Sequence, residues 1–428
     1  MNSDQLNDSM IPRRRFLQLS AATMGAISTG AGAEMQTSTK PKRSSRTNKS
    51  KYNREYSGER LNRVAFPMGG LGAGMICLEG TGALSHFSLR NKPEVFNEPC
   101  VFAAISIKGK SQVAKVLEGP VPGWKIFGAP GTGNGAAGTS FGLPRFDSAS
   151  FRTRFPFATV TLADSQIPLE VEVTGWSPFE PGDADNASLP VAALEYRFAN
   201  KTKSAVEAVF SFNAKNFMAI ERNDKAVRPI PGGFVLWGAG AKDKPWEEGA
   251  FSATASDPAT KVNHAWFRGG WWDALTMAWK EIQEGACFDR PPLQEGGPSP
   301  GATLFVPFQL VPGASKTIAL RLAWHVGQTN MRLGKEADGN AAEQKKSPQP
   351  THKPWYAGRF SDIGEVTQYW RDQYDALRKK SERFSECFYD STLPSEVIEA
   401  VAANLTILKS PTVLRQSDGK LWSWEGCS

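Results

Sequence analysis

Several stretches of the chain hold residue types that could do chemistry, and their spacing decides which to pursue. The most literal pattern is Gly133-Asn134-Gly135-Ala136-Ala137-Gly138, a G-x-G-x-x-G. Dinucleotide binding needs those glycines between a strand and the start of a helix, so that bare backbone and helix dipole both meet a pyrophosphate. The surrounding GAPGTGNGAAGTSFGLP has no helical pattern behind it and reads as a flexible loop. A second run, Gly69-Gly70-Leu71-Gly72-Ala73-Gly74, lies between the apolar Phe66-Pro67-Met68 and Met75-Ile76-Cys77-Leu78. Those flanks predict a buried crossing at which glycine lets another backbone come close, in preference to a ligand.

The remaining candidates are weaker. His86, His264, His325 and His352 are scattered, none forms an H-x-x-x-H, and no G-x-S-x-G elbow is present, so neither zinc nor serine-hydrolase chemistry is indicated. Cys77, Cys100, Cys287, Cys387 and Cys427 make no C-x-x-C, and their odd number leaves at least one thiol unpaired if the rest are bridged. Trp266-Phe267 and Trp271-Trp272-Asp273, beside Gly269-Gly270, could present flat rings and polar groups to a sugar. Packing between sheets is the preferred reading of them. Finally, the chain closes on LWSWEGCS, residues 421–428, with Glu425 between Trp424 and Gly426. A single acid cannot complete a two-carboxylate glycosidase mechanism. No catalytic, cofactor-binding or metal-ligating residue is assigned from the sequence.

The elements that would position these residues are mostly strands. Leu169, Val171 and Val173 alternate with Glu170, Glu172 and Thr174, the period of a half-buried strand. The alternation returns in Leu194-Tyr196-Phe198, Ala208-Phe210-Phe212, Leu304-Val306-Phe308-Leu310 and Ile318-Leu320-Leu322-Trp324. Turn signals such as Val311-Pro312-Gly313 separate them, and no helix-length periodic run is read between 61 and 325. Residues 61–330 are therefore predicted to form a large antiparallel β-sandwich. Residues 331–360 read as an exposed linker, rich in Gly, Lys, Gln and Pro in their first part. A long helix is predicted over 361–391 from Ile363, Val366, Trp370, Tyr374, Leu377, Phe384 and Phe388. Pro394 opens a second helix with Val397, Val401, Leu405 and Leu408 on one face, which is expected to be exposed.

At 428 residues, 40% apolar and with 13 tryptophans, the chain is not a disordered one. Its net charge of +7 is misleading, because residues 40–63 hold nine Lys/Arg against Glu55 and Glu59, a local +7. The rest is close to neutral, so the basic character belongs to a solvated segment, predicted at 34–60, and nucleic-acid binding is not expected. Residues 1–33 have the parts of an export signal: Arg13-Arg14-Arg15-Phe16-Leu17, a mildly apolar run from Leu19 to Ala31, and Ala31-Gly32-Ala33 for cleavage. The arginines resemble a twin-arginine signal, with Pro12 and Gln18 departing from its usual form, and the apolar run is too short to span a membrane. A periplasmic protein cleaved after Ala33, with no stable membrane span, is expected.

Taken together, FPMGGLGAGMICLEGTGALSHFSLRN at 66–91, RFPFATVTL at 154–162 and GWSPFEPGDADNASLPVAALEYRFAN at 175–200 resemble the N-terminal domain of glycoside hydrolase family 116, the family of non-lysosomal glucosylceramidase and bacterial β-glucosidases. WYAGRFSDIGEVTQYWRDQ at 355–373 and DGKLWSWEGC at 418–427 are similar to its linker helix and the beginning of its catalytic domain. The resemblance implies a β-sandwich packed on an (α/α)6 barrel, and retaining hydrolysis of β-glucosides or glucosylceramide-like substrates by a glutamate nucleophile and an aspartate acid. It places both carboxylates downstream of Glu425, so neither is carried over, and 392–428 would be only the start of the barrel. The chain is expected to be catalytically silent by itself and to need no cofactor. A stand-alone carbohydrate-binding or interaction module is the alternative reading.

Overall fold

The computed structural model describes residues 55–109, 112–127, 139–271, 273–331 and 352–423. The export signal, most of the basic segment, the Gly133–Gly138 pattern, Trp272, residues 332–351, and Trp424, Glu425 and Cys427 lie outside them.

The chain is mainly β. A nine-stranded antiparallel sheet runs in the order Tyr56–Ser57, Ser148–Arg154, Phe157–Ala163, Glu170–Trp176, Val191–Ala199, Ser315–His325, Gly249–Ala255, Gly233–Gly238, Lys225–Ile230. A five-stranded sheet follows the order Lys261–Asn263, Gly301–Leu310, Val206–Lys215, Val101–Ile107, Val113–Val116. The alternation seen in the sequence becomes the core between them. Phe198 stacks on Phe308 with ring centroids 5.0 Å apart, and Tyr196 meets Phe210 at 4.8 Å. Leu194, Phe212, Leu304, Val306, Leu320, Leu322 and Trp324 are fully buried in the same layer or at its edge. Three further strands, Ala65–Gly69, Met75–Glu79 and Leu84–Ser88, add Met68, Ile76 and Leu78 to this core.

Each large sheet has its outer face covered by a helix. Over the five-stranded sheet lies Ala274–Gln283, whose Trp279 and Ile282 pack against Phe102, Ala104 and Val116. This helix corrects the expectation that no helix interrupts the strands. Its N-cap is Asp273, which accepts from Thr276 N at 2.9 Å, so the last residue of the aromatic cluster serves as the helix cap.

The helix Ile363–Tyr389 lies across the outer face of the nine-stranded sheet. It begins where Asp362 caps Gly364 and Glu365. Trp370 and Tyr374 are buried against Trp176, at 5.3 Å centroid separation in both pairs. Glu195 projects from the sheet and accepts from Trp176 Nε1, Tyr374 OH and the Nε and Nη2 edge of the Arg378 guanidinium. Farther along, Ser381 Oγ receives Phe179 N–H and Tyr389 OH receives Phe155 N–H. The helix is therefore bonded to the sheet along its length, and burial of its aromatic rings contributes on the order of 2–3 kcal/mol apiece. Among the described residues no helix is long and apolar enough to cross a membrane.

Candidate functional site

The Gly69–Gly74 turn is a buried crossing. All six residues are buried. A Cβ on Gly70 would run into the Leu189 carbonyl, and one on Gly72, at φ +65, into the backbone of Leu414 and Arg415. Glycine is required because another chain segment presses on this turn, as the flanking apolar residues predict. The segment over Gly72 is the C-terminal hairpin of Val413–Arg415 and Leu421–Ser423, and that over Gly70 is Ser188 and Leu189. Arg415 N donates to Gly72 O at 3.2 Å, its guanidinium bonds Ala184 O and Asp185, and the same group lies 3.9 Å over the Trp355 ring.

The segment leading into this hairpin is also fastened. The helix Ser395–Leu405 buries Ile398 and Ala402, and the 3-10 turn Thr406–Lys409 that follows ends in a lysine with no exposed surface. Lys409 Nζ donates to Ser177 O at 3.0 Å and to Ser177 Oγ at 2.5 Å, while Ser177 Oγ also receives Gly69 N–H. Burial drives the Lys409 pKa down to about 7. The helix and the turn after it are therefore packed on the sandwich, and the expectation of an exposed apolar face holds only for part of that face. Of the face named from the sequence, Val397 at 43% and Val401 at 44% exposure point outward, while Leu405 and Leu408 pack partly against the core beside Ile398 and Ala402.

A buried charge cluster joins residues that the sequence did not connect. Lys125, on the short helix Gly123–Phe127, donates to Glu79 at 2.6 Å and to Glu98 at 2.8 Å. Nearby, Glu118 accepts from Arg145 at 3.1 Å. Burial pushes the Glu98 and Glu118 carboxyls up, against the pull of Lys125 and Arg145 respectively. A retaining glycosidase needs two carboxyl groups free to flank a sugar. Here the lysine stands between Glu79 and Glu98, so this is an ion triad that ties a short helix to a strand end and a loop. Beside it, burial lowers the His86 pKa, and Ser85, bonded to His86 Nδ1 at 2.7 Å, is itself inaccessible.

The other sequence candidates disperse. Trp266 is core, with Nε1 donating to Thr303, whereas Trp271 is 97% exposed, so the two tryptophans do not form one surface. His264 lies between the Arg290 and Gly233 carbonyls. His352 pairs with Thr329 only through backbone. Cys77, Cys100, Cys287 and Cys387 are free thiols, and burial raises the pKa of the first three. Among the described residues no cluster of His, Cys, Asp or Glu could hold a metal.

One open groove, of about 290 Å3, lies at the N-terminal end of the long helix. Trp237 faces outward from its strand, since its neighbours Phe234 and Leu236 are buried in the sandwich core. Its Nε1 donates to Glu248 at 3.2 Å, and the Arg228 guanidinium covers the ring at 4.3 Å. His325, Gln328 and Asp362 also line the groove. His325 Nε2 is 3.1 Å from the Phe360 carbonyl, which can only accept, so Nε2 carries the proton and Nδ1 is left as an acceptor. Burial lowers the His325 pKa and keeps the ring neutral at neutral pH. Sequence reasoning missed this groove because its parts span residues 228 to 362.

The family model for "beta-glucosidase 2, glycosyl-hydrolase family 116 N-term" matches residues 65–377. The chain belongs to glycoside hydrolase family 116. The matched region takes in both large sheets except the Tyr56–Ser57 edge strand, and ends inside the long helix, so the Lys409 and Arg415 contacts lie beyond the family 116 N-terminal match. No curated protein sequence matches the chain. Among solved structures, a kojibiose phosphorylase from the human microbiome is similar at 8% identity and a TM-score of 0.30, covering 78% of this chain and 31% of its own. A polysaccharide lyase gives 9% and 0.25, covering 62% and 33%. A family GH92 α-mannosidase from Bacteroides thetaiotaomicron gives 11% and 0.28, covering 85% and 42%. The chain thus spans less than half the length of each, and at these scores the assignment to family 116 rests on the family model.

Proposed function

We propose that this chain is the exported, non-catalytic β-sandwich region of a family 116 β-glycosidase, and that it holds and orients an (α/α)6 catalytic portion through residues 393–423. β-Glucosides or glucosylceramide-like lipids are the substrates this reading assigns to the complete enzyme. The observation that supports it is the two-sided segment after the long helix. One side is tied to the sandwich by buried Lys409 and by Arg415 on Gly72. The other presents Val397 and Val401 beside Ala400 and Leu408 in an apolar surface. Glu396 and Asn404 rim this apolar surface, and it is the side of the segment that this reading gives to the catalytic portion. A connecting helix bonded along a sheet fixes the direction in which such a contact is presented.

The test is a pull-down and turnover experiment with a family 116 catalytic domain supplied as a second polypeptide. The chain alone should leave a chromogenic β-glucoside intact. It should retain the catalytic domain on a column, and the pair Val397→Glu and Val401→Glu should abolish retention without changing its own melting temperature. Robust turnover by the chain alone, or retention indifferent to both substitutions, would sink the proposal.

A further inference from the structure

We propose that the groove at the N-terminal end of the long helix is a non-catalytic subsite for one neutral hexopyranose unit, with Trp237 as its platform and Glu248, His325, Gln328 and Asp362 as its hydrogen-bonding wall. The inference rests on the carbohydrate-processing role proposed above and adds a place and a ligand class to it.

Three features carry it. The groove, at about 290 Å3, is at the lower edge of the range of small-ligand sites, about 300–1,000 Å3, which fits a single sugar ring and not a chain. The indole is held in advance: Arg228 stacks on it and Glu248 fixes its nitrogen, so little side-chain entropy is left to lose when a ring packs against it. Trp237 is on the strand face opposite Phe234 and Leu236 and is only partly covered, so packing in the sandwich core does not account for it.

The hydrogen-bonding groups select the ligand. Glu248 has one oxygen engaged by the Trp237 nitrogen, Asp362 has one engaged by the Gly364 and Glu365 amides, and His325 is engaged through Nε2. The remaining oxygens and Nδ1 are acceptors, and the Gln328 amide can both donate and accept. A ligand that satisfies several acceptors at once must be rich in O–H donors, which describes a polyol. Phosphate or carboxylate ligands would face Glu248 and Asp362 with only Arg228 to offset them. A lipid chain would desolvate all of these groups without compensation.

The experiment is saturation-transfer NMR on the full chain with methyl β-glucoside at about 10 mM, well above a millimolar Kd. Transfer to the sugar ring protons is expected, with at least about tenfold weaker binding for glucuronate, which carries a carboxylate, and for Trp237→Ala, about 1.4 kcal/mol. Gln328→Ala and Glu248→Gln, which leave the packing intact, should each weaken binding severalfold and keep the result decisive if Trp237→Ala fails to fold. No transfer from the native chain, or equal transfer from all three variants, overturns the subsite. Sugar binding without retention of a catalytic domain would keep the subsite and remove the docking proposal, and the opposite pattern would do the reverse.

Discussion

Lys409→Met should stabilise the protein in mildly acidic solution and lose that advantage as the pH rises. The Lys409 ammonium has no exposed surface, and its neighbours are the Ser177 carbonyl and hydroxyl with Phe155 and Phe179 at 5.3 and 5.9 Å. Burial is the cause of the drop from 10.5 to about 7, with no carboxylate contributing. At about 1.4 kcal/mol per unit, holding the charged form inside costs about 5 kcal/mol below pH 7. Methionine has a similar reach and removes that cost, while the loss of hydrogen bonds to Ser177 gives back about 1–3 kcal/mol. The expected net gain is about 2–4 kcal/mol at pH 6.

The sign follows from proton counting. Between pH 7 and 10.5 the unfolded chain holds the lysine proton and the folded chain does not, so the native protein gains stability as pH rises through that window. By pH 9 it has recovered about 3 kcal/mol, and the variant's lead should shrink to within about 1 kcal/mol of zero. Urea unfolding of both proteins at pH 6 and pH 9 measures this, and other titrating groups cancel in the difference between them. A gap that does not change with pH, or a variant less stable at pH 6, would refute the argument that Lys409 is buried at the expense of its charge.

Two other substitutions probe how the helix and hairpin are held. Gly72→Ala places a Cβ against Arg415 N at a left-handed φ of +65, so the hairpin should lift, cost about 1–3 kcal/mol, and be cut sooner within residues 416–423 in limited proteolysis. Glu195→Gln gives the half-buried Arg378 an amide in place of its carboxylate and weakens the bonds from Tyr374 and Trp176. A loss of about 2 kcal/mol is expected, discounted because Arg378 is 30% exposed, and read as a melting temperature a few degrees lower.

Local periodicity made the strands legible. Ile318, Leu320, Leu322 and Trp324 must share one face of any strand, and they fill the sandwich core. The partners of that strand were not legible, because Val191–Ala199 and Gly249–Ala255 flank Ser315–His325 through pairings remote in sequence. The helix Ala274–Gln283 is short and follows Trp271-Trp272-Asp273, which read equally as surface stacking, although Asp273 followed by Thr276 is an N-cap signal. Val397 and Val401 marked one helix face, but Ile398 and Ala402, one position along, do the packing. Lys409 and Lys125 were invisible as interior residues, since a lysine in a sequence gives no sign that burial or a pair of distant glutamates awaits it. The groove at Trp237 required the fold, because no spacing rule joins residues 237, 325 and 362.

The contact between Gly72 and Arg415 also sets an order of events in synthesis. The turn leaves a ribosome some 340 residues before the backbone that covers it, which at about 5–20 residues per second is roughly 20 to 70 s. Through that interval the three strands around the turn must stay soluble with an uncovered, glycine-rich backbone, and the Ser177 pocket must wait for Lys409. Covering of this turn is thus reserved for chains translated past residue 415. An interrupted chain would carry a permanently open seam, which is the kind of surface that chaperones and proteases recognise.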